Sequence, residues 1–267
     1  MADVRWQFDD GTEWMVVSRA ENGDYQLTFD GRVRFRVSPD GLQIVSPADS
    51  GESQETLDAL YFNQVLPLAL SRRGKLVLHA SCVEAGADSL AFVGRSGRGK
   101  STLAASFAKN SYRFLTDDGL QVDQSGDGFN VQPSRASIRL WPDSRDAVLT
   151  LGHKTAPPVE YTSKSRFLAD ESLAYCDEPR RMRVVYLLGE GTASAPTIAL
   201  VRASEAMVEL VRHSFLLDIE EREALTLHFA LLSRLVSEVK VFRLDYPRDY
   251  ACLPAVRKAV VDHMTSI

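Results

Sequence analysis

A chain of 267 residues, 45% apolar and 25% charged, is long enough to bury a full core and has an ordinary globular balance. Its net charge of −5 and the lack of any dense Lys/Arg run argue against a general nucleic-acid binder. Cys82, Cys176 and Cys252 are widely spaced and form no CxxC, which argues against a disulfide framework or a zinc site and fits a reducing compartment. The opening Met1-Ala2-Asp3-Val4-Arg5 does not read as a signal peptide, and no stretch approaches the ~18 apolar residues of a membrane span. A cytoplasmic location is the expectation.

Residues 1–50 read as a small β-rich region. Strands are expected at 13–18, 25–29, 33–37 and 42–45, separated by Asp10-Gly11, Asn22-Gly23, Asp30-Gly31 and Asp40-Gly41. A polar break over 47–53 precedes an expected helix at 55–71. Its Leu57, Leu60, Tyr61, Val65 and Leu68 give a broad apolar face, and residues 51–73 bridge into a core spanning 74–267. Residues 75–84 read as a strand, closing a hairpin through 85–88 into a second strand that ends at Val93. A four-residue connection sets Glu84 opposite Ser89 and His79 opposite Gly94; a one-residue slip would turn His79 to the other face.

The stretch from Gly94 to Thr102 organises the rest. Gly94-Arg95-Ser96-Gly97-Arg98-Gly99-Lys100-Ser101-Thr102 fits G-x-x-x-x-G-K-[ST], the loop whose backbone N–H groups cradle nucleotide phosphates. Its glycines allow an anion nest, Lys100 supplies a point charge for the β/γ-phosphates, and the Ser101 hydroxyl is a ligand for Mg²⁺. A short buried strand precedes it, and a helical pattern over 100–109 follows, with Leu103, Ala104, Phe107 and Ala108 on one stripe. That order aims a helix N-terminus at the anion.

Residues 112–116 read as the next strand, ending in Asp117-Asp118-Gly119. A right-handed crossover makes it parallel to the loop's strand, so both aspartates are expected at the nucleotide's edge of the sheet. Two carboxylates beside Mg·ATP can divide the work: one accepts a hydroxyl proton while the other supports the metal. Their proximity would spread their pKa values. From Gly119 a hairpin is expected around Ser125-Gly126-Asp127-Gly128, followed by Arg135 and Arg139 as candidate phosphate-charge stabilisers. Residues 152–177 read as a polar binding loop or lid containing Lys164. Strands at 182–188, 198–201 and 239–244 and helices at 204–213, 224–237 and 253–264 complete the pattern. His213, His228 and His263 lie on these helices and read as packing or surface residues.

His79-Ala80-Ser81-x-x-Glu84, the loop 94–102 and Asp117-Asp118, seventeen positions beyond Lys100, together resemble the HPr kinase/phosphorylase family. That family is related to the nucleotide-binding core of phosphoenolpyruvate carboxykinases. The resemblance covers roughly residues 75–250 and weakens after Asp118. It implies an α/β fold: a phosphoenolpyruvate carboxykinase-like P-loop kinase core with a mixed sheet, beside the β-rich N-terminal region. It also implies ATP- and Mg²⁺-dependent phosphorylation of a serine hydroxyl on a small protein or peptide. Carried over, Gly94, Ser96, Gly97, Arg98, Gly99, Lys100, Ser101 and Thr102 hold the nucleotide, with Ser101 and Asp118 on the metal. Asp117 is the base, and His79 tunes it.

Two departures stand out. Thr102 replaces the family's usual Glu, and Ser137-Ile138-Arg139-Leu140-Trp141-Pro142-Asp143-Ser144 stands where the family has E-[IL]-R-G-L-G. The latter segment looks like shorter HPr-kinase-related proteins of peptide-modification pathways, including kinases of the C-terminal residue of lasso-peptide precursors. A small-molecule hydroxyl kinase and a P-loop ATPase or nucleotide-dependent switch are the rival readings. A homo-oligomer remains open.

Overall fold

The computed structural model describes residues 3–7, 11–47, 50–126, 128–149, 152–159 and 161–267. Asp10 and Asp127 of the expected turns lie outside them, as do residues 48 and 49 of the expected break and residue 160 of the expected loop. The chain divides into two units. One comprises Met1–Val77, Val159–Tyr161 and Phe215–Phe229; the other comprises Leu78–Pro158, Thr162–Ser214 and Ala230–Ile267.

In the first unit, β1 (Val4–Gln7), β2 (Glu13–Arg19), β3 (Tyr25–Phe29), β4 (Val33–Val37) and β5 (Ile44–Val45) form an antiparallel meander in chain order. Strict alternation fixes its faces: Tyr25, Leu27 and Phe29 point inward opposite Val37, Phe35 and Val33. β1 is an edge strand with no residue fully buried, which is why its V-R-W-Q pattern escaped the sequence reading.

The expected helix at 55–71 is interrupted. Ser53 caps α1 (Gln54–Leu60) by accepting from the Thr56 N–H at 3.2 Å, a wide π-turn spans Tyr61–Val65, and α2 (Leu66–Arg72) follows. Pro67 has no N–H to donate one turn back, and the ladder widens just before it. Leu57, Leu60, Val65 and Leu68 share a core with the inward face of the meander. Tyr25 donates to buried Asp218 at 2.8 Å, and Arg72 pairs with Glu221.

The second unit holds a mixed eight-stranded sheet. Its members are β6 (Leu76–Ala85), β7 (Asp88–Val93), β8 (Phe114–Thr116), β9 (Gly119–Ser125), β10 (Gly128–Val131), β13 (Arg180–Leu188), β14 (Thr197–Leu200) and β15 (Lys240–Asp245). The order is β10-β9-β6-β7-β13-β15-β14, with β8 also pairing β6. β7, β13 and β15 run parallel, whereas β6 is antiparallel to both β7 and β8. β7 and β8 therefore run the same way and end at one edge, although β6 lies between them. β11 (Ser137–Leu140) and β12 (Ser165–Leu168) form a separate antiparallel pair. β12 thus places a strand inside the stretch expected to be a loop; at four residues, one of them arginine, it left too short a signal.

The helices are α3 (Lys100–Ala108), α4 (Pro142–Val148), α5 (Ala203–Arg212), α6 (Arg222–Glu238) and α7 (Leu253–Ser266). α3 is buried nearly all round rather than along one stripe, because β7, β8, β11, α4 and α7 all pack on it. Phe92, Phe107 and Tyr186 centre that core, with Phe92 5.6 Å from Phe107 and 6.1 Å from Tyr186 between ring centroids. No described helix is long and apolar enough to cross a membrane.

Gly41, at φ 72°, follows β4 in the first unit, and a Cβ there would sit 2.4 Å from the Ala69 carbonyl oxygen. Gly41→Ala is expected to cost roughly 1–3 kcal/mol through left-handed strain and that backbone clash. Urea denaturation checks this, and an unchanged midpoint would contradict the packing of the turn on α2.

Candidate phosphate-binding active site

Ala80 is the reference point of the site. Across one side of β6 it pairs with Val93, the last residue before the glycine loop; across the other its N–H donates to the Asp118 carbonyl at 3.2 Å. Two strand spacings, about 10 Å, thus separate the loop's strand from the aspartate turn. The observed register has Glu84 opposite Ser89 and runs to Ala80↔Val93, so His79 continues it toward Gly94. Ala85 also pairs with Asp88, leaving a two-residue connection with Gly86 at φ 67°.

The loop has the backbone an anion nest needs. Gly97 and Gly99 lie at φ 77° and 88°, and Gly99 is the residue that starts α3. A Cβ on Gly99 would lie 2.9 Å from the Tyr246 hydroxyl. Lys100 is only 5% exposed, and its Nζ donates to the Gly94 and Arg95 carbonyls at 2.7 and 3.1 Å. Burial lowers its pKa to about 8, with nearby Lys164 adding to the fall and Asp118 and Asp117 opposing it, so the amine stays mainly protonated at neutral pH. Ser101 is the second residue of α3 and lines the same cavity as Lys100. Thr102 donates to Ser144 at 3.1 Å.

The two aspartates differ in every contact. Asp118, 3% exposed and at φ 71°, receives Arg139 Nε at 2.8 Å and a second guanidinium N–H, and its other oxygen lies 3.9 Å from His79 Nδ1. Burial would raise its pKa, but Arg139, Lys164 and His79 together hold it far below the usual carboxylate range. Asp117 is half-buried and accepts the Ser81 hydroxyl at 2.6 Å and the Arg139 backbone N–H at 2.9 Å. Burial and the charge of Asp118 push its pKa upward. One carboxylate is thus fixed as an anion and its neighbour is made more basic. Burial and Lys100 hold the His79 imidazole below its ordinary range, favouring the neutral form at pH 7.

Of the residues read from sequence, Ser96, Gly97, Arg98, Gly99, Lys100, Ser101, Thr102, Asp118 and Arg139 line one cavity of about 340 Å³. Gly94 holds the Lys100 amine rather than facing that cavity, and Asp117 stands beside it, bonded to Ser81 and Arg139. His79 faces Asp118, whereas Ser81 bonds Asp117. Glu84 of the same motif points elsewhere, into an ion cluster with Arg113 and Arg180. Lys164 joins the site from the turn before β12, with its Nζ 5.3 Å from the Trp141 ring centroid.

The sequence reading missed Asp143, Ser144, Tyr246, Arg248, Asp249 and Tyr250, which also line the cavity. Tyr246, Arg248, Asp249 and Tyr250 follow β15, which is parallel to β13 and hence to β7, so they emerge at the edge where the glycine loop begins; Asp143 and Ser144 reach it from the start of α4. His213 was read as packing or surface; its carbonyl accepts the His79 N–H at 2.6 Å, beside the site.

A glycine loop with a buried lysine and a neighbouring carboxylate pair, set at one edge of a mixed sheet, makes this an α/β protein with a candidate phosphate site. The donor set fits a nucleotide: loop amides and Lys100 for phosphate oxygens, and Ser101 and Asp118 for a magnesium ion carried with them. No cluster of three or more His, Cys, Asp or Glu residues that could hold a metal occurs among the described residues. No protein-family profile matches the chain, and no curated protein matches it. Among solved structures, the HPr(Ser) kinase/phosphatase of Coxiella burnetii is similar over 71% of this chain and 97% of that one, at 10% identity and a TM-score of 0.38. The site's chemistry therefore rests on its own geometry.

Arg139→Gln tests the clamp on Asp118. A folded-state pKa below the unfolded one gives stability that is present at neutral pH and lost as pH falls through the carboxylate range. Removing the guanidinium leaves a buried unpaired charge and should cost roughly 3–5 kcal/mol at pH 7. The deficit should shrink toward pH 4 as Asp118 protonates; a pH-independent deficit would contradict the pairing.

Proposed function

We propose that the protein is a Mg·ATP-dependent kinase that transfers the γ-phosphoryl group to a hydroxyl, with serine on a small protein or peptide as the acceptor class. The observation that supports this most is the split carboxylate pair at the end of β8, on the same sheet edge as Lys100. An ATPase switch needs one residue to orient water. A pair in which one member is a fixed anion and the other is raised suits proton removal from a hydroxyl beside a charged phosphate site.

In this reading the loop amides and the Lys100 ammonium bind and orient the phosphates. Ser101 and Asp118 would hold the magnesium ion, which neutralises phosphate charge when bound. Asp117, kept in place by Ser81 and the Arg139 N–H, takes the acceptor hydroxyl's proton. Arg139 serves Asp118 through its guanidinium and Asp117 through its backbone, so one residue sets both carboxylates. Lys164 adds positive charge at the face where the transferred group passes. Positioning and electrostatics supply most of the rate. The C-terminal serine of a precursor peptide is the acceptor to which the sequence resemblance points, and HPr and free serine are the comparison acceptors.

Asp117→Asn is expected to keep ATP binding but lose transfer by about 10²–10⁴-fold, followed with γ-labelled ATP and serine-ending peptides. Near-normal transfer would remove Asp117 as the base. The wild-type rate should fall as pH drops through a value above that of an ordinary carboxylate, because only ionised Asp117 accepts the proton. Lys100→Ala should weaken both ATP binding by calorimetry and transfer; unchanged affinity would contradict the loop's role.

A further inference from the structure

The cavity beside the glycine loop has a wall that the loop does not build. Trp141 and Asp143 at the start of α4, and Tyr246, Arg248 and Tyr250 from the connection after β15, form it. At about 340 Å³ the space lies in the range of small-molecule sites rather than that of a bare anion nest. Building on the phosphate-loop reading, we infer that this wall is a nucleoside subsite, taking a flat heteroaromatic base and a ribose whose hydroxyls bond Asp143.

Two ordered features carry the inference. The first is a planar stack. The Arg248 guanidinium carbon lies 4.6 Å from the buried Tyr246 ring centroid. Arg248 donates to the Arg98 carbonyl at 2.7 Å and to the Gly189 carbonyl at 2.5 Å. The guanidinium is thereby fixed to the glycine loop itself, while the residue remains exposed and lines the cavity. A pinned guanidinium plane is a stacking surface for a base at little ordering cost.

The second is a chain of hydroxyls. Thr102, next to Ser101, donates to Ser144 at 3.1 Å; Ser144 is 3.1 Å from the Tyr250 hydroxyl; and Tyr250 donates to one Asp143 oxygen at 2.7 Å. The Ser144 N–H holds the other Asp143 oxygen at 2.9 Å. Asp143 is thus an exposed carboxylate in a fixed orientation, with spare lone pairs on both oxygens. The relay also fixes its distance from the phosphate nest. An ordered acceptor at a set spacing from the phosphates suits the vicinal hydroxyls of ribose and discriminates against their loss.

The test is calorimetry with Mg·ATP, Mg·2′-deoxy-ATP and magnesium tripolyphosphate on the full chain. ATP should bind about tenfold tighter than 2′-deoxy-ATP, the worth of one such hydrogen bond, and tripolyphosphate should be weaker still. Asp143→Asn should close the ATP/2′-deoxy-ATP gap with tripolyphosphate binding unchanged. Tyr250→Phe, which keeps the carboxylate but releases one of its oxygens from the relay, should narrow the ATP/2′-deoxy-ATP gap without closing it. Equal wild-type affinity for ATP and tripolyphosphate, or an unaltered ATP/2′-deoxy-ATP ratio in Asp143→Asn, overturns the subsite and leaves the phosphate loop standing. Failure of all three to bind overturns both readings.

Discussion

A carboxylate as deeply buried as Asp118 keeps its charge only if a cation is held against it. Arg139 does that with two guanidinium N–H groups while its own backbone N–H serves Asp117. The desolvation of such a pair is repaid only by close geometry and full hydrogen bonding. The surrounding architecture supplies both. β11 carries Arg139, β12 pairs with it, and the left-handed backbone at Asp118 turns that side chain toward it. Remove the pair and the site loses its fixed anion, the raised neighbour and the alignment of both with Lys100.

Chemical asymmetry follows from this one contact. Two adjacent aspartates in the same medium would compete for one proton. Here the guanidinium settles which is ionised, and burial beside that fixed charge raises the other. Lys100 completes the arrangement from the far side of β6, where it sits on its own loop's carbonyls. A phosphate group offers that ammonium a stronger partner, so the loop holds its lysine close to where it would be used. The β15–α7 connection is tied to the same loop through Arg248, so the glycine loop and the outer wall of the cavity form one assembly.

Much of this was legible before any coordinates. The glycine loop, its flanking strand and helix, and the aspartate turn each carry a local pattern tied to a backbone requirement. The hairpin arithmetic from Glu84 reached the register beside His79. What escaped was set by tertiary context. Ser81 gave no sign that it would bond Asp117, since a serine in an apolar strand reads as filler. The β11–β12 pair was hidden because four-residue strands that each carry an arginine resemble loop. The stripe expected on α3 became burial on all sides once α4 and α7 covered it, and no local pattern reports such a cover. Arg248 and Tyr250 required knowing that β15 joins the sheet parallel to β7, and Asp143 that α4 packs on α3, facts of topology rather than of their own neighbourhoods.

The Arg139 guanidinium grips only one of the two neighbouring carboxyls, and their opposite titration depends on that grip. Carbon-13 NMR of the aspartate carboxyls, assigned by substitution and followed across pH in the folded range, measures it directly. The account predicts that Asp118 stays ionised to the acid limit of the fold while Asp117 takes up its proton above the ordinary aspartate range. Two carboxyls titrating together near the ordinary value, or in the reverse order, would contradict it.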